Sequence, residues 1–173
     1  MKILVLSDSH GYLNNLKKVL KLYDVKIKYI IHLGDYENDV AEIKPFFKQF
    51  EFINISGNCD FETFSPSEKC FPLCGKNFFI THGHMYRVKA NLSTLSYAAE
   101  EKNADICLFG HTHIPVLTTI NDVLYLNPGS ISIPRAGKFP TYGILNISEN
   151  NDVSAEIFEI HSENHISIMQ FKA

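Results

Sequence analysis

The sequence predicts an α/β fold built from two packed β-sheets, one mainly parallel and one mixed, with helices outside. Three features carry that prediction. Short apolar runs alternate with amphipathic stretches in the first third of the chain, β-type runs crowd the second half, and turn residues separate them.

Residues 3–6 read as a buried strand, and Leu13, Leu16, Val19, Leu20 and Tyr23 then fall at helical spacing. Residues 29–33 form a second strand candidate. A shorter helix around Val40, Ile43 and Phe47 follows, disturbed by Pro45. Residues 52–55 make a third strand. This strand–helix alternation demands right-handed crossovers, and therefore parallel strands. Further on, residues 69–73 and 78–80 look like adjacent strands joined through Gly75-Lys76-Asn77. A helix over residues 92–102 turns Leu95 and Ala99 inward. From there the signals are β: residues 106–109, 116–120, 123–126, 142–147 and 153–160, with hairpin turns at Asn121-Asp122 and Asn150-Asn151. No repeat, low-complexity segment or linker interrupts the chain, so residues 1–173 are expected to form one domain.

Composition narrows the function. A hydrophobic fraction of 45% and a charged fraction of 20% are those of an ordinary globular protein. A formal charge of -3 argues against stable nucleic-acid binding, which normally shows a basic surface. No apolar run nears the roughly 18 residues of a spanning helix. The apolar start is cut short by Asp8 and His10, so it reads as a core strand rather than a signal peptide, and a cytoplasmic, membrane-free protein is expected. Cys59, Cys70, Cys74 and Cys107 include no Cys-x-x-Cys pair. On one strand, Cys70 and Cys74 would sit about 13 Å apart at roughly 3.3 Å per residue, too far for a disulfide. Core thiols are the expected reading.

Five polar clusters each follow an apolar strand candidate: Asp8-Ser9-His10, Gly34-Asp35, Gly57-Asn58, His82-Gly83-His84 and Gly110-His111-Thr112-His113. The carboxyl ends of parallel strands share one edge, where α/β proteins place their ligands, so the first three should converge and the last two can join from the second sheet. Asp8 and His10 lie two apart, so an extended backbone points both to one side, and His111 and His113 repeat the device. Four of the five clusters contain glycine, which permits the sharp exit from strand to loop. Each residue alone has an ordinary reading: a cap or turn aspartate, a turn asparagine after glycine, an exposed histidine turn. His32, inside a strand, reads as a satisfied core residue. Together Asp8, His10, Asp35, Asn58, His82, His111 and His113 offer oxygen and nitrogen donors without thiolate, a set suited to manganese, iron, nickel or zinc rather than calcium. Seven donors exceed the need of one ion and fit two if a carboxylate bridges.

The order Asp-x-His, Gly-Asp, Gly-Asn, His-Gly-His, Gly-His-x-His resembles the calcineurin-like metallophosphoesterase family over residues 1–147. Gly57-Asn58-Cys59-Asp60 and the short length resemble its small bacterial and archaeal phosphodiesterases. The resemblance implies a four-layer α/β/β/α sandwich with two mixed β-sheets. It implies one metal held by Asp8, His10, Asp35 and His113, and a second by Asp35, Asn58, His82 and His111, with Asp35 bridging. Manganese is the expected metal, with nickel, iron and zinc as alternatives. The implied reaction is attack on a phosphodiester by a metal-bridging hydroxide, in line, with no protein nucleophile. His84 is expected to touch substrate or orient a ligand, and Asn127-Pro128-Gly129-Ser130 to shape the site.

One position departs from the pattern. Many larger members carry histidine after the motif asparagine, where it protonates the leaving oxygen; here Cys59 stands there. Leaving groups that need protonation should therefore react slowly. Two rivals remain: a scaffold protein resembling the retromer subunit of this fold, and a nuclease or phosphatase with the same site. Filled ligand positions speak against the first, and little room for added loops against the second. His161-Ser162-Glu163-Asn164-His165 reads as a solvated turn before a last strand, not a third metal site. The expected partner is a phosphate ester, and self-association stays open.

Overall fold

Ile3, Leu4, Val5 and Leu6 are apolar at consecutive positions, so the strand they form must be covered on both faces. All four are buried. The computed structural model describes residues 1–23, 27–61, 63–162 and 164–172. In chain order the elements are β1 (Lys2–Leu6), α1 (Leu13–Leu22), β2 (Tyr29–His32), α2 (Glu37–Ile43), β3 (Glu51–Asn54), β4 (Glu68–Leu73), β5 (Lys76–Thr81), α3 (Ser93–Glu101) and β6 (Ile106–Phe109). There follow β7 (Pro115–Ile120), β8 (Val123–Pro128), β9 (Thr141–Ile147), β10 (Val153–Ile160) and β11 (His165–Lys172).

One sheet has six strands in the order β11-β10-β9-β1-β2-β3, the other five in the order β4-β5-β6-β8-β7. Both are mixed, as the family resemblance implied, whereas the residue pattern alone predicted one mainly parallel sheet. β1, β2 and β3 are parallel as the crossovers require, but β9 joins β1 antiparallel, and β10 and β11 continue that way. The expectation came from the first three strands; the late β segments close onto the same sheet through contacts distant in sequence. In the second sheet β5, β6 and β8 are parallel, edged by antiparallel β4 and β7.

Three apolar clusters separate four layers. Ile3, Val5, Ile31, Ile80, Leu108 and Leu126 meet between the sheets. Leu4 and Leu6, on the other face of β1, pack with Leu16, Val19 and Leu20 of α1 and Ile43 of α2. Leu95 and Ala99 of α3 pack with Phe79, Cys107 and Phe109 on the outer face of the second sheet. Alternate residues of each central strand thus serve two interfaces, following the two-residue period of the backbone.

Local departures have local causes. The β4–β5 turn is Cys74-Gly75, with φ of 51° and 73°, and Lys76 and Asn77 already belong to β5. Two left-handed residues match the twist of a hairpin better than the three-residue loop expected. Pro45 ends α2 at Ile43, and a 3-10 turn spans Lys44–Phe46. The core-thiol reading holds only for Cys107: Cys70 is exposed, while Cys59 and Cys74 are half-buried, and all four are free. Cys70 points off an edge strand and Cys74 lies in a turn, places that strand periodicity alone assigns to neither side. The hairpins at Asn121-Asp122 and Asn151 adopt the left-handed backbone expected of asparagine and aspartate. Among the described residues no helix is long and apolar enough to cross a membrane.

Candidate metal centre

The carboxyl ends of β1, β2 and β3 face those of β5 and β6, and the polar clusters following them meet in one place. Asp8, His10, Asp35 and His113 each turn a ligand atom into a space where these atoms lie within 4.8 Å of one another. Asp8 Oδ1 is 3.1 Å from His113 Nε2, and His10 Nε2 is 3.2 Å from His113 Nε2. Asp35 stands between two groups: Oδ2 lies 3.6 Å from His10 Nε2, and Oδ1 3.3 Å from His82 Nε2. His111 packs edge-on to His82 at 5.1 Å between ring centroids, and His84 lies 5.5 Å from His82. Asn58 is at the exposed rim, its amide donating to Cys59 Sγ at 3.3 Å. The structure thus groups four of the seven residues, sets His82 against Asp35 and His111 against His82, and leaves Asn58 at the exposed rim.

The backbone achieves this differently from the extended pairs expected. Asp8 (φ 55°), His10 (48°), Asp35 (57°), His111 (67°) and His113 (59°) are all left-handed. Such residues carry strain, and a group of five at one place marks a functional site. The chain leaves each strand through a tight reversal rather than running on, because the sheets press together. Within the first sheet the loops after β2 and β3 also touch: a Cβ on Gly34, itself at φ 91°, would lie 2.6 Å from the Gly57 backbone nitrogen. The approach between the two sheets is as tight. A Cβ on Gly110 would collide with the Ser7 hydroxyl.

Supporting bonds orient the ligands. His82 Nδ1 donates to the Leu33 carbonyl at 2.7 Å, and His113 Nδ1 to that of Ile133 at 2.6 Å. With the proton so engaged, each Nε2 turns a lone pair toward the cluster, the arrangement of a metal-binding imidazole. Asp8 Oδ2 accepts from the Ser7 hydroxyl at 2.5 Å and the His111 N–H at 3.1 Å. Asp8 Oδ1 and His82 Nε2 are buried and have no hydrogen-bond partner among the described residues. Buried polar atoms are costly unless satisfied, so these two fit bound cations as the missing partner.

Charge is arranged to match. Burial pushes Asp35 upward, yet the His82 imidazole and the Cys59 N–H, 2.9 Å from Oδ1, hold it well below the carboxylate range. Asp8 is likewise lowered against its burial by His113, His82 and Ser7. Burial opposes protonation of His82 and His113, but the two carboxylates win and raise both. His111 is pushed down to about 4 by burial and by His82, and His84 is lowered by the same causes. The cluster therefore holds anionic oxygens ready at neutral pH.

The expected shaping role of Asn127-Pro128-Gly129-Ser130 shows in its hydrogen bonds, while Ser132, Asp39 and the anchoring role of Asp60 escaped the sequence reading. Ser130 and Ser132 hydroxyls both donate to the Asp8 carbonyl at 2.8 Å. The Asn127 amide donates to the Gly110 carbonyl at 2.8 Å and to Thr112 Oγ1 at 3.0 Å, so the loop after β8 braces two ligand loops. His32 is buried with Nε2 3.1 Å from Ser9 Oγ, tying β2 to the loop of Asp8 and His10. Two carboxylates fasten loops to the start of α2. Asp39 Oδ2 accepts from Gly11 N–H at 2.9 Å, while Asp60 accepts from Glu37 N–H and Gly57 N–H, both at 2.7 Å. Charged acceptors of this kind are worth about 1.5–3 kcal/mol each. Asp60→Ala should destabilise the fold by about that amount or more, read from the urea midpoint, and Asp60→Asn should recover part of it. An unchanged midpoint would mean the Asn58 loop is anchored elsewhere.

His161 Nε2 lies 3.1 Å from Glu159 Oε2, and His165 Nδ1 pairs with the Tyr142 hydroxyl at 2.9 Å, so neither reaches the cluster. The turn expected there closes through His161 N–H and the Asn164 carbonyl at 2.8 Å, and β11 starts at His165; Glu163 lies outside the described residues.

Two mixed sheets between helices, with histidines and aspartates gathered at the ends of parallel strands, define a metal-dependent phosphoesterase. The chain belongs to the calcineurin-like phosphoesterase superfamily, whose domain model matches residues 1–150. It is 32% identical over 172 residues to a probable metallophosphoesterase, YsnB, of Bacillus subtilis, covering 98% of this chain and 97% of that one. It is 32% identical over 165 residues to the phosphodiesterase MJ0936 of Methanocaldococcus jannaschii, covering 84% and 92%. A zinc-complexed Vps29 from Entamoeba histolytica superposes with a TM-score of 0.82 over 99% of both chains at 16% identity, a likeness of fold alone.

Proposed function

We infer that the chain is a phosphodiesterase for small-molecule or nucleotide phosphodiesters, using two divalent ions, manganese foremost. The observation that carries this reading is the position of Asp35 between His10 and His82, where one carboxylate can serve two ions. Asp8, His10, Asp35 and His113 would hold one ion, and Asp35, Asn58, His82 and His111 the other. When bound, such a pair lowers the pKa of water and neutralises charge on phosphoryl oxygens. By formal count, two divalent ions against Asp8, Asp35 and a hydroxide leave about one positive charge, which draws in an anionic ester.

The chain's own residues set the rest. His84, kept neutral by burial and by His82, can donate a hydrogen bond to a phosphoryl oxygen. Burial and Asp35 push the Cys59 thiol up to about 11, so it stays protonated and gives up its proton poorly. Activated diesters should therefore react faster than esters of poor leaving groups. Cys59→His should speed a poor leaving group by about 10-fold or more, short of the roughly 10²–10⁴-fold that a well-positioned general acid contributes. No gain would remove Cys59 from the account of leaving-group preference.

Relatives named as phosphodiesterases support the reading, and so does the filled ligand set, which a scaffold does not need. Four free cysteines fit a reducing compartment, and the cytoplasm is the proposed location. No stable nucleic-acid or membrane partner is proposed. The test is a panel of phosphate monoesters and diesters assayed with Mn, Ni, Fe, Zn and Mg. Diester hydrolysis led by manganese and abolished by chelator is expected; no cleavage with any metal would sink the proposal.

A further inference from the structure

A cavity of about 280 Å³ opens beside the aspartate–histidine cluster, and the chemistry above gives it no task. Leu92, Phe109 and Val116 supply apolar walls, Thr112 one polar wall, and Lys89 and Arg135 two cationic ones. It adjoins the cluster through the chain itself. Thr112 sits between His111 and His113, and the Arg135 N–H donates to the His113 carbonyl at 3.1 Å. The Lys89 charge acts on His111 and the Arg135 charge on His113, so both cations stand within electrostatic reach of the ligand histidines.

Lys89 and Arg135 are exposed and make no ion pair among the described residues, although the chain carries a formal charge of -3. Two unpaired cations at the mouth of an apolar cavity suit an anionic group attached to an apolar or flat body. Whole-ligand pockets usually measure about 300–1,000 Å³, so this one is sized for part of a ligand whose remainder lies on the neighbouring cluster.

We propose that the cavity lined by Phe109, Val116, Lys89 and Arg135 is a second substrate subsite. It takes the non-reacting part of a phosphodiester: an apolar or flat body bearing its own anionic group, the chemistry of a nucleotide with a second phosphate. This rests on the phosphodiesterase reading and narrows its substrate class. Arginine and lysine both hold phosphate, arginine through its planar fork, and the apolar walls accept a base or similar ring.

Two measurements test it. The first compares a nitrophenyl ester of thymidine 5′-phosphate with the same ester carrying a 3′-phosphate. The reacting bond and leaving group are identical in the pair. The native protein should favour the 3′-phosphorylated ester in kcat/KM, chiefly through KM. Lys89→Ala with Arg135→Ala should cut kcat/KM for it by about 10–100-fold more than for the plain ester, as expected for lost charged hydrogen bonds. Arg135→Lys should recover part of the loss. An equal loss on both esters, or none, overturns the subsite.

The second measures binding of adenosine 3′,5′-bisphosphate by calorimetry to chelator-treated and manganese-loaded protein. About 10-fold or greater weakening in the double variant is expected in both states. No binding by the native protein, or equal binding by the variant, overturns the proposal. If neither ester is cleaved yet bisphosphate binding depends on Lys89 and Arg135, the phosphodiesterase reading fails while the anion groove stands.

Discussion

Asp35→Asn is expected to abolish ester hydrolysis with every divalent metal, by about 10³-fold or more. Removing a single electrostatic stabiliser commonly costs about 10²–10³ in turnover. Asp35 touches both halves of the cluster, with Oδ1 3.3 Å from His82 and Oδ2 3.6 Å from His10, so its loss affects two ions. Asparagine keeps the shape and an oxygen to accept the Cys59 N–H, now 2.9 Å from Oδ1, so the loop should persist. Bound metal per chain should fall to one or fewer by elemental analysis. A variant with full rate and two bound ions would end the bridging assignment.

Metal removal should leave a protein whose response to added manganese depends steeply on pH. Asp8 and Asp35 are lowered, so their contribution to stability is present above the ordinary carboxylate pKa of about 3.9 and fades as pH falls through the folded values. His82 and His113 are raised, so theirs is complete below about 6.5 and is lost as pH rises through the folded values. His111, pushed down to about 4, works the other way: below about 6.5 the unfolded chain takes up a proton that the folded chain refuses. Metal requires the imidazoles unprotonated, so cation and proton compete for His82 and His113. Affinity should weaken about tenfold per pH unit for each proton displaced, below the raised values. The rise in Tm on adding manganese to chelator-treated protein should therefore be much larger at pH 8 than at pH 6. An equal rise at both would show that the histidines are not ligands.

Much of the architecture was legible because strand and helix periods are local. The alternation of Ile3 and Val5 against Leu4 and Leu6 already implies a strand covered on both faces, and they join separate apolar clusters. The helix over α3 followed from Leu95 and Ala99 at a spacing of four. The turn at Cys74-Gly75 was misread by two residues, because glycine marks a reversal without stating which neighbour shares it. The antiparallel attachment of β9 to β1 was invisible: it pairs Ile3 with Leu145, and no local pattern chooses a partner so distant.

The site divides along the same line. Sequence by itself determined which donor side chains follow the strands and could gather at one edge, since donor type and apolar runs are properties of short segments. Tertiary structure alone decided how the clusters meet: five left-handed residues, two carbonyls that orient His82 and His113, and the Asp39 and Asp60 bonds to α2. Backbone carbonyls carry no residue code, and a left-handed aspartate looks like any other in sequence. Their positions arise only when the two sheets pack closely enough for Gly110, after β6, to meet Ser7, after β1, a contact between loops that belong to different sheets.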